Sequence, residues 1–358
     1  MFDFNSKLAH FPDKAQACIR DGIHRSLSTV FMDLVSGVCN QNCIFCDGKY
    51  LPLERRLFRT ERLMRLADEL VGLGVDSVII VGEGGESTLH PAFCDFAERL
   101  LSAGVRLGLY TNGETLSGAV AETAAKFDFL RVSLDAGCNE THNAVHRSHT
   151  PDVFDRIVSQ LGAFSKIKKG SLGVSYVVLP ENIDDIPLAA AICEAQGVDF
   201  LELKPFYSPE YTFDIPMYQS LAEKLRRYYA EAAAACKRTR VVLNNQFDEW
   251  LRHGFAPRDL TRLETGRPCL TSKLRLVVSP NGCFLCTCFR NVPAYNLGDP
   301  SETPLDEIWY GEKHRALLAQ PCRLKCTYTL QNDFLLEMQA GKASLPAPDP
   351  DTEQVYFL

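Results

Sequence analysis

Short runs rich in β-branched and aromatic residues alternate along this chain with longer stretches whose apolar residues recur every three or four positions. "TVFMDLV" (29–35), "SVIIVG" (77–82), "VRLGLYTNG" (105–113), "FLRVSLDAG" (129–137), "SLGVSYVVLPEN" (171–182) and "FLELKPFYS" (200–208) read as six strands. Between them, "RTERLMRLADELVGLG" (59–74), "PAFCDFAERLLSAG" (91–104), "ETLSGAVAETAAKF" (114–127) and the segments near 151–166 and 184–196 read as amphipathic helices. Strand–helix alternation of this kind predicts a parallel sheet with helices outside it. Six units are too few for a closed eight-fold barrel. The polar residues that could do chemistry fall just after the strands, as on the carboxyl rim of barrel folds. The expected class is therefore α/β, a partial (β/α)6 TIM-like barrel. Residues 211–258 read as mostly helical, with a short strand at "RVVLNN" (240–245). "LRLVVSPNGCFLCTCF" (274–289) reads as a β-hairpin turning at Pro-Asn-Gly.

This reading divides the chain into an N-terminal extension (1–29), the partial barrel (30–210), a helical connection (211–262), a small hairpin-and-helix domain (263–335) and a Pro/Asp-rich tail (336–358). Composition changes the picture little. A net charge of −7 without a basic stripe argues against nucleic-acid binding. No apolar stretch approaches the roughly 20 residues of a membrane span, and the N-terminus lacks the order of a signal peptide. The cytoplasm is the expected location. Fourteen cysteines in a reducing compartment point to metal binding rather than disulfides. Three lie in "CNQNCIFC" (Cys39, Cys43, Cys46), and six lie between Cys269 and Cys326. Cys18, Cys94, Cys138, Cys193 and Cys236 stand singly and read as buried packing residues.

Three thiols at gaps of three and two residues suit neither a disulfide framework nor a four-ligand zinc site. After a first strand, they resemble the radical SAM superfamily. The resemblance implies a [4Fe–4S] cluster on Cys39, Cys43 and Cys46, with the fourth iron left for S-adenosylmethionine (SAM). "VGEGGESTLHP" (81–91) resembles the GGEP motif of that family, so Gly84, Gly85 and Glu86 would bind the SAM ammonium; Ser87 replaces the usual proline. Phe45 and Val177 match positions beside the adenine, Asn112 in "YTNG" matches a third motif, and Ser133 and Asp135 match ribose contacts. The arginine of an "IRG" motif, which binds the SAM carboxylate in many relatives, has no clean counterpart in "AVHRSHT" (144–150). Arg147 is the expected partner on charge grounds, with His146 as the alternative.

The second cysteine set resembles the C-terminal extension of the SPASM and twitch subfamilies. Cys269, a hairpin thiol, Cys322 and Cys326 would hold one auxiliary cluster, expected to be [4Fe–4S]. Strand alternation puts Cys286 and Cys288 on one face and Cys283 on the other. Cys288 is taken first as the hairpin ligand and Cys286 second, and a structural zinc is the alternative occupant.

The implied function is a 5′-deoxyadenosyl radical that abstracts hydrogen from a small polar substrate such as a sugar, cyclitol or nucleoside. Oxidation or epimerisation would follow. The expected substrate residues on the rim are Glu202, Lys204 and Tyr207, together with Asn245 and its neighbours Asn244 and Gln246. Cys236 and Cys138 are candidate hydrogen donors for an epimerisation. A reducing partner such as flavodoxin or ferredoxin is implied. Maturation of a ribosomally made peptide is the second expectation, and a non-catalytic iron–sulfur or zinc interaction protein the third.

Overall fold

The structure, a computed structural model, describes residues 7–20, 26–46, 48, 53–82, 84–150, 152–206, 214–254, 266–323, 326 and 328–349. Its elements follow the alternation written in the sequence. Helix α1 (Pro12–Arg20) precedes strands β1 (Thr29–Asp33), β2 (Val35–Ser36) and β3 (Arg56–Leu57). Then come α2 (Thr60–Gly72), β4 (Ser77–Val81), α3 (Phe93–Ser102), β5 (Arg106–Thr111), α4 (Gly118–Ala124) and β6 (Phe129–Ser133). Helices α5 (Asn139–His146) and α6 (Val153–Phe164) lead to β7 (Ser171–Val178), α7 (Ile186–Gln196) and β8 (Phe200–Pro205). The chain continues through α8 (Ile215–Ala235), β9 (Arg240–Leu243), α9 (Asn245–His253), β10 (Arg275–Ser279), β11 (Gly282–Phe284) and β12 (Asn296–Gly298). It closes with α10 (Leu305–Trp309), α11 (Glu312–Leu318) and α12 (Thr329–Gln339). All six expected strands are present, in an α/β fold with mostly parallel pairing. No helix among the described residues is long and apolar enough to cross a membrane.

Two compact units are formed. One comprises Val38–Leu51 and Leu109–Arg258, and the other comprises Phe2–Gly37, Pro52–Gly108 and Asp259–Leu358. In the first unit, β6, β7, β8 and β9 pair in parallel in that order. Leu130, Val132, Leu172, Val174, Leu201 and Leu203 are buried on one side of these strands, and the side chains between them point the other way. Helix α7 is held at its end by Gly197, whose φ of 72° is the left-handed conformation that glycine adopts without strain.

In the second unit β1 is the central strand. It pairs in parallel with β4 on one edge (Thr29 opposite Ser77) and with β10 on the other (Thr29 opposite Arg275). All five residues of β1 are buried, as expected for a strand covered on both faces and paired on both edges. The C-terminal hairpin β10–β11 therefore extends the sheet that holds the first strand, and β12 adds to it antiparallel. Helices α1 and α12 meet near this point. Leu8, Ala15 and Cys18 pack with Leu270, Leu274 and Leu335, joining the N-terminal extension to α12. Helix α12 runs through the expected start of the tail at residue 336, while residues 350–358 lie outside the described residues.

Two polar side chains secure this unit. Ser87 donates its hydroxyl to the Val81 carbonyl at the end of β4 and accepts the Leu34 N–H just after β1, at 3.0 Å. The proline common at this position could make neither bond. His314, fully buried on α11, donates Nδ1–H to the Trp309 carbonyl at 2.6 Å and lies 4.4 Å from its indole. Burial pushes the His314 pKa down to about 4.

Two outcomes are expected. Ser87→Ala lowers stability by about 1–3 kcal/mol, the cost of leaving buried partners unpaired, read by thermal or denaturant unfolding. Because the folded pKa of His314 is depressed, its contribution is complete above the unfolded value near 6.5 and is lost as pH falls toward 4. The stability difference between the native protein and His314→Gln therefore narrows by on the order of 3 kcal/mol across that window in denaturant titrations.

Candidate active site

The three-cysteine loop has neither helix nor strand between Cys39 and Cys43, so its order comes from neighbours. Helix α5 supplies most of it. Asn42 N–H donates to the His146 carbonyl at 2.9 Å and Ile44 N–H to the Val145 carbonyl at 2.8 Å. Below them, the His146 side chain sets Nδ1 at 3.1 Å from the Cys43 sulfur. Asn112, just after β5, donates its amide to the Asn40 side chain at 2.7 Å and to the Cys39 sulfur at 3.8 Å. Its carbonyl oxygen accepts the Glu114 N–H. Cys39 is exposed, and Cys43 and Cys46 are half-buried. Soft thiol donors on an ordered, accessible loop fit iron–sulfur ligation.

Asp135, expected to meet a ribose, is fully buried in a left-handed conformation (φ 51°). One carboxylate oxygen accepts the Val177 N–H, and the other lies 3.1 Å from His146 Nε2 as an ion-pair contact. Asn182 braces the same turn, donating to the carbonyls of Asp135 (2.9 Å) and Val177 (2.8 Å). Burial alone would discharge His146, but Cys43 and Asp135 outweigh it and push its pKa up to about 10. His146, the alternative SAM-carboxylate partner, thus already faces the Cys43 sulfur and the Asp135 carboxylate. Arg147, the other candidate, is an exposed left-handed cap of α5 (φ 46°). Helix α5 itself was not read from "NETHNAVH", whose apolar content is low. The spacing of its buried residues, His142, Val145 and His146, was the available signal.

Beside this knot, Phe45 and Ile44 pack with Val145, Val177, Leu179 and Phe206. The structure thus brings together Phe45 and Val177, the two residues expected beside the adenine. Ser133 ends β6 opposite Ser175, which in turn faces Glu202 on β8. The same face carries Lys204, half-buried and opposite Val177. Glu202, expected at the substrate, forms a buried ion pair, its Oε2 accepting from Arg131 Nη1 at 2.6 Å. The Arg131 guanidinium lies 5.3 Å from both the Tyr110 and Phe200 rings. A Cβ on Gly173 would meet the Phe200 ring at 2.2 Å, so only glycine leaves room for that ring.

Other rim residues also have structural duties. Asn244 caps α9 by accepting the Gln246 N–H at 3.0 Å, Gln246 is buried, and Asn245 is exposed as the first residue of that helix. Tyr207 lies outside the described residues. Both candidate hydrogen donors are free, half-buried thiols. Cys138 contacts Thr141 and Asp185, and Cys236 donates to the Ala190 carbonyl.

In the second unit, the glycine turn after β4 is closed by the Gly85 N–H donating to the Gly82 carbonyl at 3.0 Å. Gly84 has a φ of 82°, and a Cβ on Gly82 would lie 2.2 Å from the Gly85 carbonyl oxygen. Glu86 is buried, with Oε1 accepting from both the N–H and the hydroxyl of Thr88 at 3.2 and 2.6 Å.

The same unit holds a cavity of about 310 Å³ walled by Cys269, Cys286, Cys288, Cys322 and Cys326. The expected hairpin strand ends at Phe284, so Cys286 and Cys288 sit on a 3-10 turn rather than on an alternating strand. Both face the cavity, and Cys283 is buried in the core. Hydrogen bonding with Cys322 outweighs burial and holds the Cys269 thiol down to about 5. Arg275, fully buried, also lines the cavity, 3.7 Å from the Tyr328 ring and bonded to Gln331 at 2.6 Å. Among the described residues, no three His, Cys, Asp or Glu side chains converge as ligands of a single ion.

Residues 34–191 match the family model of the radical SAM superfamily. Over 194 residues the chain is 26% identical to the tungsten-containing aldehyde ferredoxin oxidoreductase cofactor-modifying protein of Pyrococcus furiosus, covering 51% of this chain and 53% of that protein. It is 26% identical over 147 residues to the probable GTP 3',8-cyclase of Methanothermobacter thermautotrophicus, covering 40% of this chain and 47% of that protein. The chain thus spans about half the length of the curated relatives it matches. Its fold resembles that of Streptococcus suis SuiB bound to precursor peptide SuiA, with a TM-score of 0.60 at 15% identity over 87% of this chain and 71% of that one. Native anSMEcpe with bound AdoMet gives 0.59 at 17% identity, over 91% and 92%. The likeness to the radical SAM superfamily is thus carried by residues 34–191, which match its domain.

Proposed function

We propose that this enzyme oxidises a C–H bond of a small polar substrate, with an auxiliary cluster accepting the electron. The observation that carries the reading is the cavity of five thiols in a chain that also matches the radical SAM domain. In this reading Cys39, Cys43 and Cys46 hold the SAM-binding [4Fe–4S] cluster, and reductive cleavage of SAM supplies the radical that abstracts hydrogen. Four of Cys269, Cys286, Cys288, Cys322 and Cys326 hold the auxiliary cluster, and the buried Arg275 guanidinium offsets part of their negative charge. Gly84, Gly85 and Glu86 bind the SAM ammonium, Ser133 the ribose, Phe45 and Val177 the adenine, and Arg147 the carboxylate. A flavodoxin- or ferredoxin-type partner delivers the electron that starts each turnover.

Lys204 is the substrate residue with most support. It projects from the polar face of β8 beyond the Arg131–Glu202 pair, where its ammonium would pair with a substrate oxyanion or assist loss of a hydroxyl proton. Glu202 and Arg131 form the floor beneath it.

A second reading is maturation of a peptide. It is supported by the likeness of fold to SuiB with its precursor peptide and to anSMEcpe with the Cp18Cys peptide. Stimulation of 5′-deoxyadenosine release by a panel of cyclitols, sugars and nucleosides favours the first reading. Stimulation by peptides alone replaces it with the second.

Anaerobically reconstituted protein is expected to hold about eight irons, falling to about four in the Cys39/Cys43/Cys46→Ala triple variant, as two cubanes require. Four irons falling to none would remove the auxiliary cluster from the proposal. Lys204→Met is expected to lower substrate-stimulated 5′-deoxyadenosine formation by about tenfold or more, while substrate-free SAM cleavage stays within about twofold. Assays with and without substrate separate the two effects.

A further inference from the structure

The contact between Cys43 and His146 has chemical content beyond holding a loop. A cysteine that ligates iron does so as a thiolate, which has no proton to give. The sulfur lies 3.1 Å from His146 Nδ1, so that nitrogen must be the donor. On the opposite side of the ring, Nε2 lies 3.1 Å from an Asp135 carboxylate oxygen, which also only accepts. Both side chains are essentially sealed from solvent, at 1% and 0% exposure. Nδ1 is therefore the proton-bearing nitrogen facing the thiolate, and the Asp135 carboxylate stands against the far side of the ring.

The ring has little freedom to leave. Its own carbonyl holds Asn42, His142 stacks on it at 4.4 Å, and Phe45 meets it edge-on at 5.5 Å. Asp135 is equally fixed, through Val177 N–H on its second oxygen and Asn182 on its carbonyl. A carboxylate orienting a histidine toward a metal is a known outer-shell arrangement. Here the histidine addresses the ligand sulfur instead of the metal.

We propose that His146 sets the reduction potential of the SAM-binding cluster by donating Nδ1–H to the Cys43 thiolate, with Asp135 fixing the ring. A hydrogen bond to a ligand sulfur stabilises the reduced, more negative cluster and makes it easier to reduce. This role rests on Cys43 ligating the cluster, as proposed above. His146 is thus a positioning and tuning residue and makes no contact with substrate.

The test compares two substitutions in the full-length reconstituted protein. Asparagine carries an N–H near the place of Nδ1, whereas glutamine carries one near Nε2. Potentiometric titration is followed by electron paramagnetic resonance, reading the signal that changes when SAM is added. His146→Gln is expected to shift that signal to more negative potential, and His146→Asn to stay near the native value. A Gln variant that loses the SAM-responsive signal while the Asn variant keeps it supports the same donor. Equal potentials in all three proteins, an equal shift in both variants, or loss of the signal in both would overturn the proposal. Cys43→Ala must lose the SAM-responsive signal, and its persistence would show that the ligation itself was wrongly assigned.

Discussion

A loop that ligates a cluster must be ordered without being regular, since a helix or strand would use its backbone groups and spread its side chains. Residues Cys39 to Cys46 satisfy that constraint by borrowing order from elements far away in sequence. The end of α5 supplies two carbonyls to the loop backbone and one imidazole to a thiol. Asn112 supplies an amide from the end of β5. Behind α5 stands Asp135, whose left-handed backbone turns its carboxylate inward between His146 and the Val177 N–H. Asn182 then closes the network from the far end of β7. The loop, α5 and the ends of three strands are thereby one polar framework, and a local change in any part is felt at the sulfurs.

The fold was largely legible because the strands are long apolar runs and most helices have a clear apolar stripe. Where the reading missed, competing physics was local and polar. Helix α5 buries only His142, Val145 and His146, so two thirds of its stripe is histidine and it carries little hydropathy signal. Motif matching pointed Asp135 and Asn112 toward SAM, but position in a motif does not reveal their protein partners, a turn for Asp135 and the cysteine loop for Asn112. Glu202 was legible as a carboxylate after a strand. That Arg131, two strands away, would neutralise it depends on Gly173 between them leaving the space, a feature of the folded sheet.

The cysteines divide in the same way. Their number and clustering were visible in the sequence, and five of the six C-terminal thiols do face one cavity. Which thiol faces inward depends on where β11 stops. Phe284 ends the strand, the next residues tighten into a 3-10 turn, and the alternation rule ceases to apply just where it was needed. Cys283, still on the strand, is packed in the core as a small apolar side chain.

The pairing of β1 with β10 has a consequence for biosynthesis. Thr29 lies opposite Arg275, so one edge of the first strand stays open until more than two hundred further residues have been made. During that interval "TVFM" is an apolar strand with unpaired backbone groups, the kind of edge that invites association with other chains. Contacts of such sequence separation also slow folding. The strand that precedes the cysteine motif by six residues thus gains its second edge partner only once the C-terminal segment has been made.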